Sequence, residues 1–169
     1  MSVTGEHKEQ FDALYSQYLP AVNQVCRGYM KGDEAVAADL CQEVFVNVWK
    51  ALPTFRGDAS PKTWIYRITV NTCLLYLRGH KKKREVALDA GHESLQDDTA
   101  KDDSHIKRLY RAIGSLQELD RLIIMMVLEE MAYPDIADVT GVSEDTLRVK
   151  IHRIKKRIKK HMETHPEHG

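Results

Sequence analysis

Apolar residues recur along this chain at steps of three and four, the spacing that lines one face of a helix. Phe11, Leu14, Tyr15, Tyr18, Val22 and Val25 predict a first helix, with Pro20 a candidate kink. Gly32–Asp33 interrupts the pattern, and Asp33 is a good N-cap for a second helix carrying Val36, Leu40, Val44, Val48 and Leu52. That helix should end before Pro53. After the loop PTFRGDAS, Ser60–Pro61 supplies a cap and a proline at the first helical position. A third helix is predicted from about Pro61 to about Arg78, with Ile65, Ile68, Thr72 and Leu75 facing inward.

Periodicity then lapses over LDAGHESLQDDTAKDDS, which reads as a flexible acidic linker over residues 82–105. Beyond it, Ile106, Leu109, Tyr110 and Ile113 open a second helical unit, followed by a helix with Leu119, Leu122, Ile123, Met126 and Val127. No strand pattern survives apart from a short ambiguous VALDA. The expected architecture is all-α: two small helical domains, 1–81 and 106–163, joined by the linker, with a disordered tail at 164–169.

The last helical segment is TLRVKIHRIKKRIKKH. Leu147, Ile151, Ile154 and Ile158 form one apolar stripe, surrounded by eight basic residues. Such a helix could lie on a membrane, dock in a partner's groove or enter DNA. The preceding YPDIADVTGVSED decides among these. A short helix from Pro134 to about Thr140 leads through Gly141–Val142 to Ser143 as the next N-cap. Glycine there supplies the positive φ of a tight interhelical turn, and Ile136, Val142, Leu147 and Ile151 fall where a helix-turn-helix buries its crossing. The stripe is narrow, lacks aromatics and is needed for that packing, so the membrane reading fails. Arg148, Val149, His152 and Arg153 lie on or beside the opposite face, where a recognition helix meets base edges. Lys155, Lys156, Lys159 and Lys160 suit phosphates or solvent.

Charge sharpens this picture. The formal net charge is +0, but residues 61–84 carry 7 basic and no acidic groups, and residues 146–169 carry 8 basic against 2 acidic. Residues 85–105 carry 7 acidic against 1 basic. Two separated positive segments point to polyanion binding at two places. On the third helix, Thr63, Arg67, Asn71 and Arg78 share a face, and Phe55, Trp64 and Tyr66 lie nearby, as suits stacking of unpaired bases. Trp64 and Ile68 are also an i,i+4 pair, which favours a core role for the tryptophan. On the second helix, Asp39, Gln42, Glu43 and Asn47 form a polar, acidic stripe. That stripe is either a solvated face or a contact for a protein partner, since it would repel DNA.

Three scattered cysteines, Cys26, Cys41 and Cys73, form no CxxC pair and read as buried small hydrophobes. No metal site or cofactor is expected. No nucleotide-binding glycine loop, HExxH or nucleophile motif is present, so the chain is not expected to be an enzyme. It has 43% hydrophobic residues, no apolar run near the roughly 18 residues of a membrane span and no signal-peptide pattern, so a cytoplasmic protein is expected.

With these residues in place, the chain resembles an extracytoplasmic-function sigma factor of bacterial RNA polymerase. DLCQEVFVNVWKALPTFRGDASPKTWIYRITVNTCLLYLR is similar to the promoter-melting, core-binding region 2 of that family. LQELDRLIIMMVLEEMAYPDIADVTGVSEDTLRVKIHRIKKRI is similar to its region 4. The resemblance implies that Asp39, Gln42, Glu43 and Asn47 meet the clamp helices of the polymerase's largest subunit. It implies that Phe55, Lys62, Arg67, Asn71 and Arg78 serve the −10 element, whose flipped base is captured there. Ser143, Thr146, Arg148, Val149, His152 and Arg153 would then serve the −35 element. Core polymerase, including its flap, promoter DNA and an anti-sigma factor are the implied partners, without membrane insertion. Val149 stands where many relatives carry a small polar or charged residue. The carboxylates between Glu85 and Asp103 are expected to screen the free protein from DNA. The rival reading is a stand-alone helix-turn-helix regulator, which would bind DNA without polymerase.

Overall fold

The computed structural model describes residues 3–88 and 104–164, and every long element in it is a helix. In chain order these are α1 (Val3–Tyr29), α2 (Glu34–Ala51), a short 3-10 turn (Leu52–Thr54), α3 (Pro61–Leu88), α4 (Ser104–Gly114), α5 (Glu118–Leu128), α6 (Tyr133–Thr140) and α7 (Glu144–Thr164). The expected screening carboxylates and the tail from 165 lie largely outside the described residues.

Local chemistry sets most boundaries. Helix α1 runs on through Pro20. It ends where Lys31 and Gly32 take positive φ (61° and 89°) and the Gly32 amide bonds the Arg27 carbonyl. Asp33 then caps α2, accepting from the Val36 amide at 3.2 Å. Helix α3 departs from expectation: it continues to Leu88, so residues 82–88 are helical rather than linker. The run HKKKREVAL changes charge but contains no glycine or proline, and Lys, Arg, Glu and Leu all favour helix. A composition shift alone does not end a helix.

Val22, Val25, Leu40, Val44, Val48, Ile65 and Val70 fill the space among α1, α2 and α3. Cys26, Cys41 and Cys73 are buried among them, free and brought together from the three helices. The Cys41 thiol is pushed well above the usual range by its hydrogen bond with Cys26 and by burial. For Cys26, the hydrogen bond to Cys41 pulls the other way, but Cys73 and burial carry the net shift upward. These thiols are packing groups, with little thiolate to react.

The second unit packs Ile113, Leu122, Ile123, Met126, Ile136, Leu147, Ile151 and Ile154. Its core is continuous with the first. The two helical units therefore meet face to face, α4 and α5 against α1, and α6 against α3. Gly28 lets Met125 lie directly on α1: a Cβ at Gly28 would fall 2.2 Å from the Met125 sulfur. Arg121, only 5% exposed, reaches across from α5. Its Nε donates to the Tyr29 carbonyl at 3.0 Å and its Nη1 to the Leu116 carbonyl at 2.7 Å. Tyr110 donates its hydroxyl to Gln24 at 2.9 Å, and the Arg27 guanidinium lies 4.6 Å from its ring centre.

Candidate nucleic-acid and polymerase interfaces

Helices α6 and α7 make the turn that the sequence predicts. Gly141 adopts the left-handed conformation (φ 76°) and its amide bonds the Ala137 carbonyl at 2.9 Å. Ser143 starts α7 by accepting from the Thr146 amide at 3.3 Å while its hydroxyl bonds the Thr146 hydroxyl at 2.8 Å. Leu147, Ile151 and Ile154 are buried against the rest of the unit. The opposite row, Thr146, Arg148, Val149, His152 and Arg153, stands in solvent. Val149 is 51% exposed, an apolar group with no packing role. Arg148 pairs with Glu144 one turn back at 2.9 Å and lies 5.9 Å from the Tyr133 ring centre. Lys150 turns aside to Asp120 at 3.6 Å. Lys155, Lys156, Lys159 and Lys160 are exposed along the far half.

Helix α3 begins on the same device. Ser60 accepts from the Thr63 amide at 3.1 Å and donates to the Thr63 hydroxyl at 3.0 Å. Thr63 is thereby buried and does not join the open face predicted for it. Phe55 and Trp64 pack ring on ring, 4.5 Å between centres, and both are half-buried. Asn71 and Arg78 are exposed, Lys62 and Arg67 half-buried. Arg67 is paired with Asp138 of α6 at 2.9 Å, and burial holds the Glu129 carboxyl above its usual range despite the opposing charge of Lys62. Leu75 was expected inward but is 66% exposed, on the face of Asn71 and Arg78. Leu74, Leu75 and Leu77 spread apolar character round this helix, so the stripe's phase is ambiguous in the sequence.

On α2, Asp39, Gln42 and Glu43 are exposed. Asn47 is not equivalent to them: half-buried, it donates through Nδ2 to the Thr72 hydroxyl at 3.0 Å and braces α2 against α3. Asp39 and Glu43 flank Tyr76, whose phenol is held above its usual range by burial and by those carboxylates. Beside Gln42, between α1 and α2, lies an open groove of about 730 Å³ lined by Phe11, Tyr15, Leu19, Phe45, Val46 and Trp49 among others. This groove is not among the sequence-based expectations, although two aromatic i,i+4 pairs, Phe11/Tyr15 and Phe45/Trp49, mark it in the sequence. Among the described residues, no group of three or more His, Cys, Asp or Glu is placed to hold a metal, and no helix is long and apolar enough to cross a membrane.

The family model described as Sigma-70 region 2 matches residues 14–83, and that described as Sigma-70, region 4 matches residues 106–158. The chain is 30% identical to the ECF RNA polymerase sigma-E factor of Haemophilus influenzae over 165 residues, covering 89% of this chain and 86% of that one. The chain belongs to the extracytoplasmic-function sigma factors. A further relative is the RNA polymerase sigma factor YlaC of Bacillus subtilis, 26% identical across 93% of this chain and 94% of its own. The sigma factor also shares its fold with RpoE in complex with the anti-sigma factor NepR from Bartonella quintana (TM-score 0.74, 22% identity, 94% of this chain and 99% of that one). CnrH in complex with the cytosolic domain of CnrY is similar as well (TM-score 0.69, 22% identity, 94% and 91% covered). As an alternative sigma factor it directs transcription initiation, and a stand-alone regulator is not favoured.

Proposed function

We propose that this sigma factor divides promoter recognition between α7 and α3 and holds polymerase through α2. In this reading, Thr146, Arg148, Val149, His152 and Arg153 meet the −35 element in the major groove, with Ser143 setting the start of the reading helix. A guanidinium bidentate to guanine discriminates by about 1–3 kcal/mol, and the Val149 methyls suit a thymine methyl. Phe55, Lys62, Arg67, Asn71 and Arg78 serve the −10 strand, with Leu75 a further apolar contact for an unstacked base. Asp39, Gln42 and Glu43 form the polar edge of the contact with the largest subunit's clamp helices. The adjoining aromatic groove gives that contact its apolar part, while Asn47 keeps α2 in place.

The observation that carries this reading is the row Arg148, Val149, His152, Arg153, left in solvent directly opposite a fully packed row. Polymerase supplies the chemistry, and the sigma factor acts in the cytoplasm with core enzyme, including its flap. Two structural relatives were solved with anti-sigma factors, which supports such a partner here too. Run-off transcription with purified core polymerase tests the assignment. Wild-type protein should give discrete promoter-dependent transcripts. Arg148→Ala with Arg153→Ala should lose them while still co-purifying with core; loss of core binding instead would refute the division of labour.

A further inference from the structure

We propose that Asn47 is a positioning residue for −10 capture, fixing through Thr72 the rotation of α3 about its own axis relative to α2. This rests on the assignment of α2 to polymerase and of Asn71, Leu75 and Arg78 to the −10 strand. Asn47 Nδ2 donates to the Thr72 hydroxyl at 3.0 Å, a partner 25 residues on in the chain. The Thr72 hydroxyl in turn donates to the Ile68 carbonyl at 2.7 Å, one turn back on α3. Its single hydrogen is thereby committed, and the oxygen is left with acceptor capacity alone. A donor must stand opposite it, and the Asn47 amide nitrogen supplies one. The bond therefore has a fixed direction, from α2 to α3.

The placement of Thr72 is what gives the bond leverage. Successive residues of a helix lie about 100° apart around its axis, so buried Thr72 stands a quarter-turn or so from exposed Asn71. Asn71, Leu75 and Arg78 follow one another at helical spacing and make a single exposed row. Turning α3 by about 20° would sweep side-chain atoms about 6 Å from its axis through about 2 Å. A hydrogen bond to a base edge tolerates about 0.5 Å.

Apolar packing does not set that angle finely, because Leu74, Leu75 and Leu77 make α3 apolar on more than one side. A directional bond between two helices does. Asn47 lies one turn past Glu43, beside the proposed polymerase contact, but it is half-buried and its amide is engaged with α3. Seating α2 on polymerase therefore also aims the Asn71 row. Asn47 itself touches neither polymerase nor DNA; it acts through Thr72.

The test uses the full chain assembled with purified core polymerase, on a promoter recovered by the run-off assay. Permanganate reactivity of −10 thymines reads promoter opening, anisotropy of labelled sigma factor reads core binding, and thermal unfolding of the free protein reads stability. Asn47→Leu and Thr72→Val keep the shape of each side chain and remove its half of the bond. Each should lower the opening equilibrium about 5- to 150-fold, the loss of one captured base, with core affinity unchanged. If one fails to fold, the other decides. Thr72→Ser keeps the hydroxyl and should open the promoter like wild type. The combined Asn47→Leu/Thr72→Val strands no polar group, so its stability should return toward wild type while its opening does not, since an apolar contact has no direction. Recovery of both together would reduce the bond to packing and overturn the proposal. So would normal opening by either single variant, or equal losses in Thr72→Ser and Thr72→Val. Core binding lost alongside opening would also overturn it, making Asn47 a polymerase contact. Asn71→Ala keeps the two assignments apart. Normal opening by that variant would sink the −10 assignment and this role with it, whereas a defective Asn71→Ala beside a normal Asn47→Leu sinks the role of Asn47 alone.

Discussion

The two helices proposed to face DNA, α3 and α7, begin alike and end up differently disposed. SPKT opens α3 and SEDT opens α7, and in both the serine caps the helix and bonds the threonine three residues on. Past the cap they diverge. On α7 the residues opposite the packed stripe face water, and the carboxylate paired with Arg148, Glu144, comes from the helix itself. On α3, Arg67 is met by a carboxylate from the other unit, Asp138 of α6. Similar chemistry is available on one helix and partly covered on the other, because α6 packs on α3 while, among the described residues, the outer face of α7 is left in solvent. The lesson is that a basic, aromatic-flanked segment gives the capacity to bind nucleic acid, whereas its availability is a property of tertiary packing.

The comparison can be broken from the α7 side with the largest effect. Arg148→Ala and Arg153→Ala each remove a proposed base-edge contact worth about 1–3 kcal/mol, so −35-dependent initiation should fall about 5- to 150-fold per substitution. Band-shift and run-off assays on matched and mutated −35 sequences would register the loss. Undermining the packed row instead should act through stability. Leu147 is fully buried, and Leu147→Ala should cost about 2–5 kcal/mol, measurable by chemical denaturation. The paired caps sharpen the comparison: Ser143→Ala and Ser60→Ala should each lose about 0.5–2 kcal/mol, since each strands one amide of an otherwise similar helix start. Smallest is Glu144→Ala. It frees Arg148 from an exposed i,i+4 pair, should move stability by no more than about 0.5 kcal/mol, and is read best as altered base preference in a binding-site selection.

How much of this was legible in the sequence depended on range. Gly141 needs positive φ, Ser143 and Asp33 need their amides two or three residues on, and such local demands leave unambiguous marks. The helix-turn-helix and the all-α class followed from them. The charge blocks at 61–84 and 146–169 coincide with α3 and α7, the two helices proposed to meet DNA. The closure of one unit on the other left no such mark. Gly28, Met125, Arg121 and Tyr29 are far apart in sequence and follow no period; Gly28 in particular looks like a poor helix residue until Met125 is seen on it. Leu75 faces solvent rather than the core because α3 is apolar on more than one side, which leaves the phase of its stripe ambiguous. Asn47 shares the spacing of an exposed polar stripe, but its partner Thr72 lies on another helix, 25 residues on, where no local pattern marks it.

The reading of α2 as the polymerase-facing surface is open to a matching trial. Asp39→Ala with Glu43→Ala should weaken association with core enzyme in a pull-down or by anisotropy, without changing the protein's own affinity for −35 duplex. Trp49→Ala should do so more strongly, because it strips the apolar wall of the adjoining groove. If either change instead reduced duplex binding by the isolated protein, the division between α2 and α7 would be wrong.

The most direct trial of the whole account is run-off transcription from a genomic promoter library with purified core polymerase, comparing wild-type protein with Arg148→Ala/Arg153→Ala. Wild-type protein should yield discrete start sites sharing an upstream and a downstream motif. The double variant should lose selection at the upstream motif while still binding core. Specific footprinting by the protein alone, with no polymerase-dependent transcript, would contradict it.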